Sequence, residues 1–579
     1  MRLFCSFRSR IIVTVFLALA TISSSHGQDR SAVATKVGQP TLIVSTSKID
    51  QLMSNMTYLM RAVNQPEIGG MVTMTVNGFS KGLDRNRPIG VAVTVNGAGN
   101  PSPIVMLPVS DLKSFLSGLA AIGEPEDLGG GLYTMDIGPK PFFAKQLDNW
   151  LVVAEQESAV NDFKQVPSEL LQTLSSRYDL GIKLDVQSVP TELRDTFIGQ
   201  MKEGYERANA QQIAKREREI QMDEAAATTD GERAEVAGRK AGAKLAQQIQ
   251  ANQMEQLEDM VRNTKQVVVG LASDSANKQV YLELATEFLS GSKMDAQIAR
   301  SATVKTDFAG IQTEGQAVSL AFTNLMDPSQ IPQFEQTLSA GFDELTKALT
   351  KIPNAPVEIA DIMKEVKLLL VKSIQEGIID GAASVTFQSG LNIVTASRIA
   401  DGKQLAIALQ KLVGAVKQDE NAPQIKFNAY NHQGAAIHLG SVKLPRDADE
   451  VMRKIFSDTP KFAIATGEKG VTIAIGSQAE ENLKATLDRV AKNPATPGTP
   501  MDLKIELGPL LEYIQTIKPS PVVEAMIQGV QDFASNDMLT VRSKLVPHGA
   551  VLRITIEEGV LRAIGAGAKA GQGNRRGGF

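Results

Sequence analysis

His432, His438 and His548 are the only imidazoles beyond residue 27, so they bound the nucleophilic and metal chemistry open to this chain. A zinc peptidase places two histidines one helical turn apart around a glutamate, and no His-Glu-x-x-His occurs. His432 and His438 can share a face across a turn at Gly434, but two imidazoles without a neighbouring carboxylate make a poor metal site. They are expected to be surface or sheet-face residues. The α/β-hydrolase route needs a serine elbow between a strand and a helix, and the sequence is read as lacking one. A Ser-His-Asp triad would have to use one of the three histidines, and no motif singles one out. The 64 acidic residues give carboxylate pairs in plenty, without the separations that would make any pair a glycosidase.

Phosphate-binding signals are equally thin. Gly97-Ala98-Gly99 sits in a turn followed by Pro101 and Pro103, so no helix N-terminus follows to receive an anion. Gly565-x-Gly567-x-x-Ala570 spells part of a dinucleotide fingerprint, but no strand or helix is left to complete the unit. Gly129-Gly130-Gly131 reads as a loop, and no Walker sequence exists. Asn55-Met56-Thr57 is a formal glycosylation sequon inside a predicted helix. Arg575 and Arg576 near the C-terminus offer only weak, salt-sensitive attraction to polyanions. No catalytic, cofactor-binding or metal residue is therefore assigned.

The elements that would hold any site begin after an export signal. Arg2, Arg8 and Arg10 precede an apolar run, Ile11 to Ile22, and Ser25-His26-Gly27 supplies small residues before a cut at Gln28. This is the pattern of a secretory signal peptide over residues 1–27, too short in its apolar part to span a bilayer. The chain's one cysteine, Cys5, falls inside it, so the mature chain has no thiol for disulfides or thiolate catalysis. Lys+Arg 60 against Asp+Glu 64 and 43% apolar residues describe a globular protein rather than a basic nucleic-acid binder. No later stretch is long and apolar enough to be expected to cross a membrane.

The mature chain reads as two similar halves, α+β in class, each a mainly antiparallel sheet with helices on one face. Leu42-Ile43-Val44 leads into a helix carrying Ile49, Met53, Met56 and Met60. Ala317–Phe322 leads in the same way into one carrying Phe334, Leu338, Phe342, Leu345 and Leu349. Ile104–Val109 runs into a helix capped by Ser110 or Asp111, and Leu391–Val394 runs through Asp401 into another. Tyr178–Leu184 matches Met501–Leu507. The hairpins of Val267–Val269 with Val280–Leu284, and of Leu539–Val541 with Val551–Ile556, also correspond. Period-two alternation in these strands predicts one face packed inward and the other wet. The expected units are 38–300 and 310–564.

Residues 199–265, rich in Ala, Gln, Glu, Lys and Arg, break the symmetry. They are expected to form a solvated helical hairpin in the first unit, turning at Thr228–Gly231. Residues 565–579, rich in glycine, are expected to be a disordered tail.

At Gly82-Leu83-Asp84-Arg85-Asn86-Arg87-Pro88-Ile89-Gly90 the chain resembles a family of exported, uncharacterised bacterial proteins. In them a Gly-Leu/Ile-Asp-x-x-x-Pro-x-Gly turn leads into the first long strand. Pro108-Val109-Ser110-Asp111, Val268-Val269-Gly270-Leu271 and Gly291-Ser292 are similar to that family too. The resemblance implies an exported α+β protein without an established activity, and transfers no site residues.

The expectation is an exported, non-enzymatic binding or scaffolding protein, periplasmic or extracellular, with no cofactor. Its partner would be an envelope protein or polymer rather than nucleic acid. Two other readings stand beside it. One is a carrier holding a hydrophobic ligand between sheet and helices, suggested by Met53, Met56 and Met60. The other is a hydrolase with an unrecognised carboxylate or serine centre.

Overall fold

The computed structural model describes residues 39–576 except 97–98, 120–122, 138–139, 229–235, 237–238, 241–242, 244–256, 351–357, 388, 416–423, 445–448, 494, 532 and 534. The signal-peptide segment, residues 1–27, lies outside the described residues. The chain divides into two compact units. One runs to Ile198 and takes in Thr264–Glu287; the other comprises Gly199–Asn263 and Phe288–Phe579. The charged insertion, expected inside the first unit, is thus grouped with the second.

The first unit contains strands β1 (Leu42–Lys48), β2 (Pro88–Val95), β3 (Pro101–Pro108), β4 (Glu126–Gly129), β5 (Leu132–Ile137), β6 (Lys140–Leu147), β7 (Trp150–Ala154), β8 (Leu180–Asp185), β9 (Thr264–Asp274) and β10 (Gln279–Phe288). Its helices are α1 (Ile49–Ala62), α2 (Pro66–Phe79), α3 (Leu112–Leu119), α4 (Glu157–Asp162) and α5 (Pro167–Ser175). The strands pair in the order β10-β9-β8-β1-β2-β3-β7-β6-β5-β4. On one face Ile43, Ala92, Ile104, Met106 and Val152 pack against Val160, Phe163, Leu171 and Leu174 from α4, α5 and the loop between them. On the other face Phe115 of α3 covers Leu151, Val153 and Ala144. That helix starts where the sequence predicts: Asp111 Oδ1 accepts the Ser114 amide at 3.1 Å. The hydrogen bonds from Ser114, its hydroxyl first, hold the Asp111 carboxyl below the usual range.

Helix α6 (Thr191–Ala226) follows β8 in the chain. Arg239 Nη1 reaches Asp223 at 2.7 Å and Lys240 Nζ reaches Glu224 at 2.7 Å, while Ile220 and Val236 are buried.

The second unit follows α7 (Lys293–Ser301). Its strands are β11 (Lys305–Thr306), β12 (Val318–Leu325), β13 (Ile378–Thr386), β14 (Asn392–Arg398), β15 (Gln424–His432), β16 (Ala435–Ser441), β17 (Lys461–Thr466), β18 (Gly470–Gly476), β19 (Thr496–Pro497), β20 (Met501–Glu506), β21 (Met538–Val546) and β22 (Gly549–Glu557). The helices are α8 (Ile331–Thr350), α9 (Ile359–Gln375), α10 (Gly402–Ala415), α11 (Glu450–Phe456), α12 (Ala479–Lys492), α13 (Leu507–Ile517), α14 (Pro521–Gln531) and α15 (Glu558–Arg576). Apart from the short β11–β19 pair, the strand order is β22-β21-β20-β12-β13-β14-β18-β17-β16-β15. Strand for strand, the chain visits its sheet positions in the sequence used by the first unit. Ala479 and Leu483 of α12 pack on Val394, Ile437, Ala463, Ala465 and Ala474.

The expected disordered tail is corrected over most of its length, because α15 continues to Arg576. Ala563 shares a core with Leu511 and Val530, and Gly565 and Gly567 are buried. A Cβ at Gly567 would stand 2.8 Å from Met526 Cγ, so the small residues that looked like a flexible tail are what lets α15 approach α14. Residues 577–579 lie outside the described residues.

Candidate ligand-binding face

The central strands reverse the expected polarity. In β8 the alternation Leu180-Gly181-Ile182-Lys183-Leu184 should send its apolar set inward. Instead Gly181 faces the helix layer, where a Cβ would meet Leu174 and Tyr178, and Leu180 is 41% exposed. The cross-strand register carries this through the sheet. Leu184, Ile182 and Leu180 stand opposite Leu42, Val44 and Thr46 of β1 on one side, and opposite Val267, Val269 and Leu271 of β9 on the other. None of these apolar residues is buried, whereas Ser45 and Ser47, pointing to the helix side of β1, are. The same inversion holds in the second unit. Ser319 and Thr323 of β12 and Asp380 and Ser384 of β13 are buried, while Val318, Leu320 and Phe322 are half-exposed.

A hub beneath this face explains how polar residues occupy the inner side. Tyr178 lies across the facing pair Gly181 and Gly270, where a Cβ on Gly270 would come within 2.2 Å of its ring. Its hydroxyl donates to Glu283 Oε1 at 2.6 Å, and Arg177 Nη2 donates to the same oxygen at 2.8 Å. Burial first, and then the bond to Glu283, push the Tyr178 hydroxyl far above its ordinary pKa. Because Glu283 points to Tyr178, its β10 neighbours Leu282 and Leu284 point to the open face, where they are 43% and 39% exposed. Asp179, next in sequence, accepts from Asn55 Nδ2 at 2.6 Å, Ser47 Oγ at 3.3 Å and the Ser273 amide at 2.7 Å. The buried sequon residue Asn55 is thereby committed to the fold.

The chemistry candidates disperse. His438 is buried in β16. Its Nδ1 accepts the Asn428 amide at 3.0 Å, so Nε2 carries the hydrogen and donates to Thr466 Oγ1 at 3.0 Å. With both nitrogens engaged it cannot serve as a base for Thr466. His432 has a carboxylate neighbour after all, correcting the expectation: Asp488 Oδ1 lies 2.9 Å from its Nε2. His548 sits in the β21–β22 turn, its Nδ1 2.9 Å from Asp295 Oδ1. Asp295 also accepts the Gly291 amide, and these bonds lower its pKa.

Gly78-Phe79-Ser80-Lys81-Gly82 does spell Gly-x-Ser-x-Gly, which corrects the expectation that no such pentapeptide exists. Ser80 ends α2 rather than opening a helix after a strand, is buried, and accepts a bond from Arg85 Nη1 at 2.9 Å. It is therefore no nucleophile elbow. Among the described residues no group of three or more His, Cys, Asp or Glu is arranged to hold a metal, and no helix is long and apolar enough to cross a membrane. Met53 belongs to the core, and Met60 lies 3.2 Å from the position a Cβ would take on Gly69 of α2.

Compared with family models, with curated proteins and with solved structures, the chain finds no match.

Proposed function

We propose that this is an exported, non-enzymatic binding protein of the bacterial cell envelope that takes the apolar part of an amphipathic ligand on an open sheet face. The observation that carries the reading is the inverted alternation. Leu180, Leu271, Leu282 and Leu284 stand exposed while serines and an aspartate are buried behind them. Leu180 stands directly opposite Leu271, and β10, which carries Leu282 and Leu284, pairs with β9; exposed apolar surface of this kind raises aggregation risk unless something covers it. The sequence spends buried hydrogen bonds at Asp179 and Glu283 to keep it facing outward. This differs from carriage between sheet and helices, since the helix-side positions at Gly90, Gly181 and Gly270, behind this face, are filled by Leu171, Leu174 and Tyr178.

The chain is further proposed to be two copies of one α+β unit, each able to present such a face. The matching strand orders support this, as do the corresponding pairs of helices after β1 and β12. Residues 199–265 are read as an inserted helical hairpin, for which the ion pairs Arg239–Asp223 and Lys240–Glu224 speak. Export rests on the residue 1–27 pattern, and a native N-terminus at Gln28 is its measurable consequence.

Titration of the mature protein with a fluorescent long-chain fatty acid tests the central claim. Saturable binding is expected. Leu180→Ser with Leu271→Ser should weaken it about tenfold or more, a loss of about 1.4 kcal/mol, with the urea midpoint little changed. Absence of binding by the parent protein, or unchanged binding by the folded double variant, would sink the proposal.

A further inference from the structure

On the opposite, helix-covered side of the first sheet lies a cleft of about 460 Å³, within the size range of small-molecule sites. Its floor is the cross-strand pair Ile43 and Lys183, with Asp185 beside them on β8. Its wall is the approach to α5, which contributes Lys164, Gln165 and Glu169.

One group here lacks what its chemistry requires, and a second has no counter-charge among the described residues. Gln165 Oε1 is buried and receives no hydrogen bond. An acceptor in that state costs roughly 1–3 kcal/mol unless a donor arrives. Lys183, half-buried, has no ion-pair partner among the described residues. Asp185 uses Oδ1 to accept the Gln187 and Ser188 amides at 3.1 and 3.2 Å, and Lys164 Nζ donates to the Asn161 carbonyl at 3.2 Å.

We infer that this cleft binds a small zwitterion carrying a carboxylate beside an ammonium, the chemistry of a free amino acid or a short peptide. The carboxylate meets Lys183 and Lys164. The ammonium donates to Gln165 Oε1, with Glu169 and Asp185 supplying negative charge. A simple anion such as phosphate would meet the two carboxylates and the lone pair of Gln165, and a simple cation would meet two lysines. Ile43 and Leu170 give an apolar wall for a side chain. The inference does not depend on the apolar face, which lies on the other side of the strands.

Calorimetric titration of the mature protein with L-alanine, L-leucine, dialanine and trialanine tests it, beside alaninamide, N-acetylalanine and inorganic phosphate. Saturable binding of the free zwitterions is expected, weakened about tenfold or more when either terminus is blocked. Tighter binding of dialanine or trialanine identifies peptides as the source, and equal or tighter binding of the single residues identifies amino acids. Lys183→Gln and Gln165→Leu should each weaken binding about tenfold, the first with the unfolding midpoint kept and the second with it kept or raised, because the unbonded acceptor is removed. Lys164→Gln, at an exposed position, is the second charge variant should Lys183→Gln unfold. No saturation below about 10 mM overturns the inference, as does equal binding of the blocked compounds or of the folded variants.

Discussion

Tyr178 donates its hydroxyl to Glu283 at 2.6 Å while its ring lies over Gly270, so one side chain joins the segment before β8 to both later strands of its sheet. Glu283 is only 1% exposed, and its carboxylate is held by this bond and by Arg177. Tyr178→Phe removes a donor from a buried charge. It is expected to cost about 1.5–3 kcal/mol in urea unfolding, more than the loss of a typical exposed hydroxyl.

Gly270→Ala tests the other half of the same relationship. The added methyl would sit 2.2 Å from the Tyr178 ring, so the ring must leave the sheet. A loss of about 1–3 kcal/mol is expected. The two substitutions should be strongly non-additive in a double-mutant cycle, because each displaces the same ring. Full additivity would mean that the ring and its hydroxyl act separately.

Glu506 carries a titration signature of the opposite kind. Burial, and then the negative charge of Asp537, raise its pKa above the ordinary value of 4.5. A carboxyl raised by folding contributes stability below its ordinary pKa and loses it as pH rises through the folded value. At neutral pH its charge therefore works against the fold. Glu506→Gln should raise the thermal midpoint at pH 7, with the gain fading as pH falls through the raised folded value and gone below 4.5; an equal gain at pH 7 and at pH 4 would contradict this.

His438 responds to acid. Burial lowers its pKa from the ordinary 6.5, so the unfolded chain takes up the proton first. Stability from the neutral ring is complete above 6.5 and declines as pH falls toward the lowered value, by up to about 1.4 kcal/mol per pH unit. His438→Gln should lower stability at pH 7 and flatten the fall between pH 7 and 5. A slope identical to that of the parent would assign the acid sensitivity elsewhere.

Strand and helix positions were largely legible because periodicity is a local property. The expected strands at Ile104–Val109, Leu391–Val394 and Met501–Leu507 fall on β3, β14 and β20, and Asp111 and Asp401 both cap helices. The tail reads as disordered because Gly565 and Gly567 lower local helix propensity, and packing on α13 and α14, at Leu511, Val530 and Met526, compensates. The Ser80 pentapeptide shows the converse: its spelling fits a nucleophile while its place at a helix end does not.

Residue order alone determined that these segments alternate with period two, since successive side chains of a strand must point to opposite sides. It could not decide which side is covered, because that depends on partners distant in sequence. The Asp179 carboxylate must find Asn55 and the Ser273 amide, and Tyr178 must find Glu283 across 105 positions, before Leu180 is left facing outward. Burying small polar residues becomes favourable only when those bonds close together in three dimensions. The apolar face and the unpartnered Gln165 beneath the opposite one therefore belong to the tertiary structure.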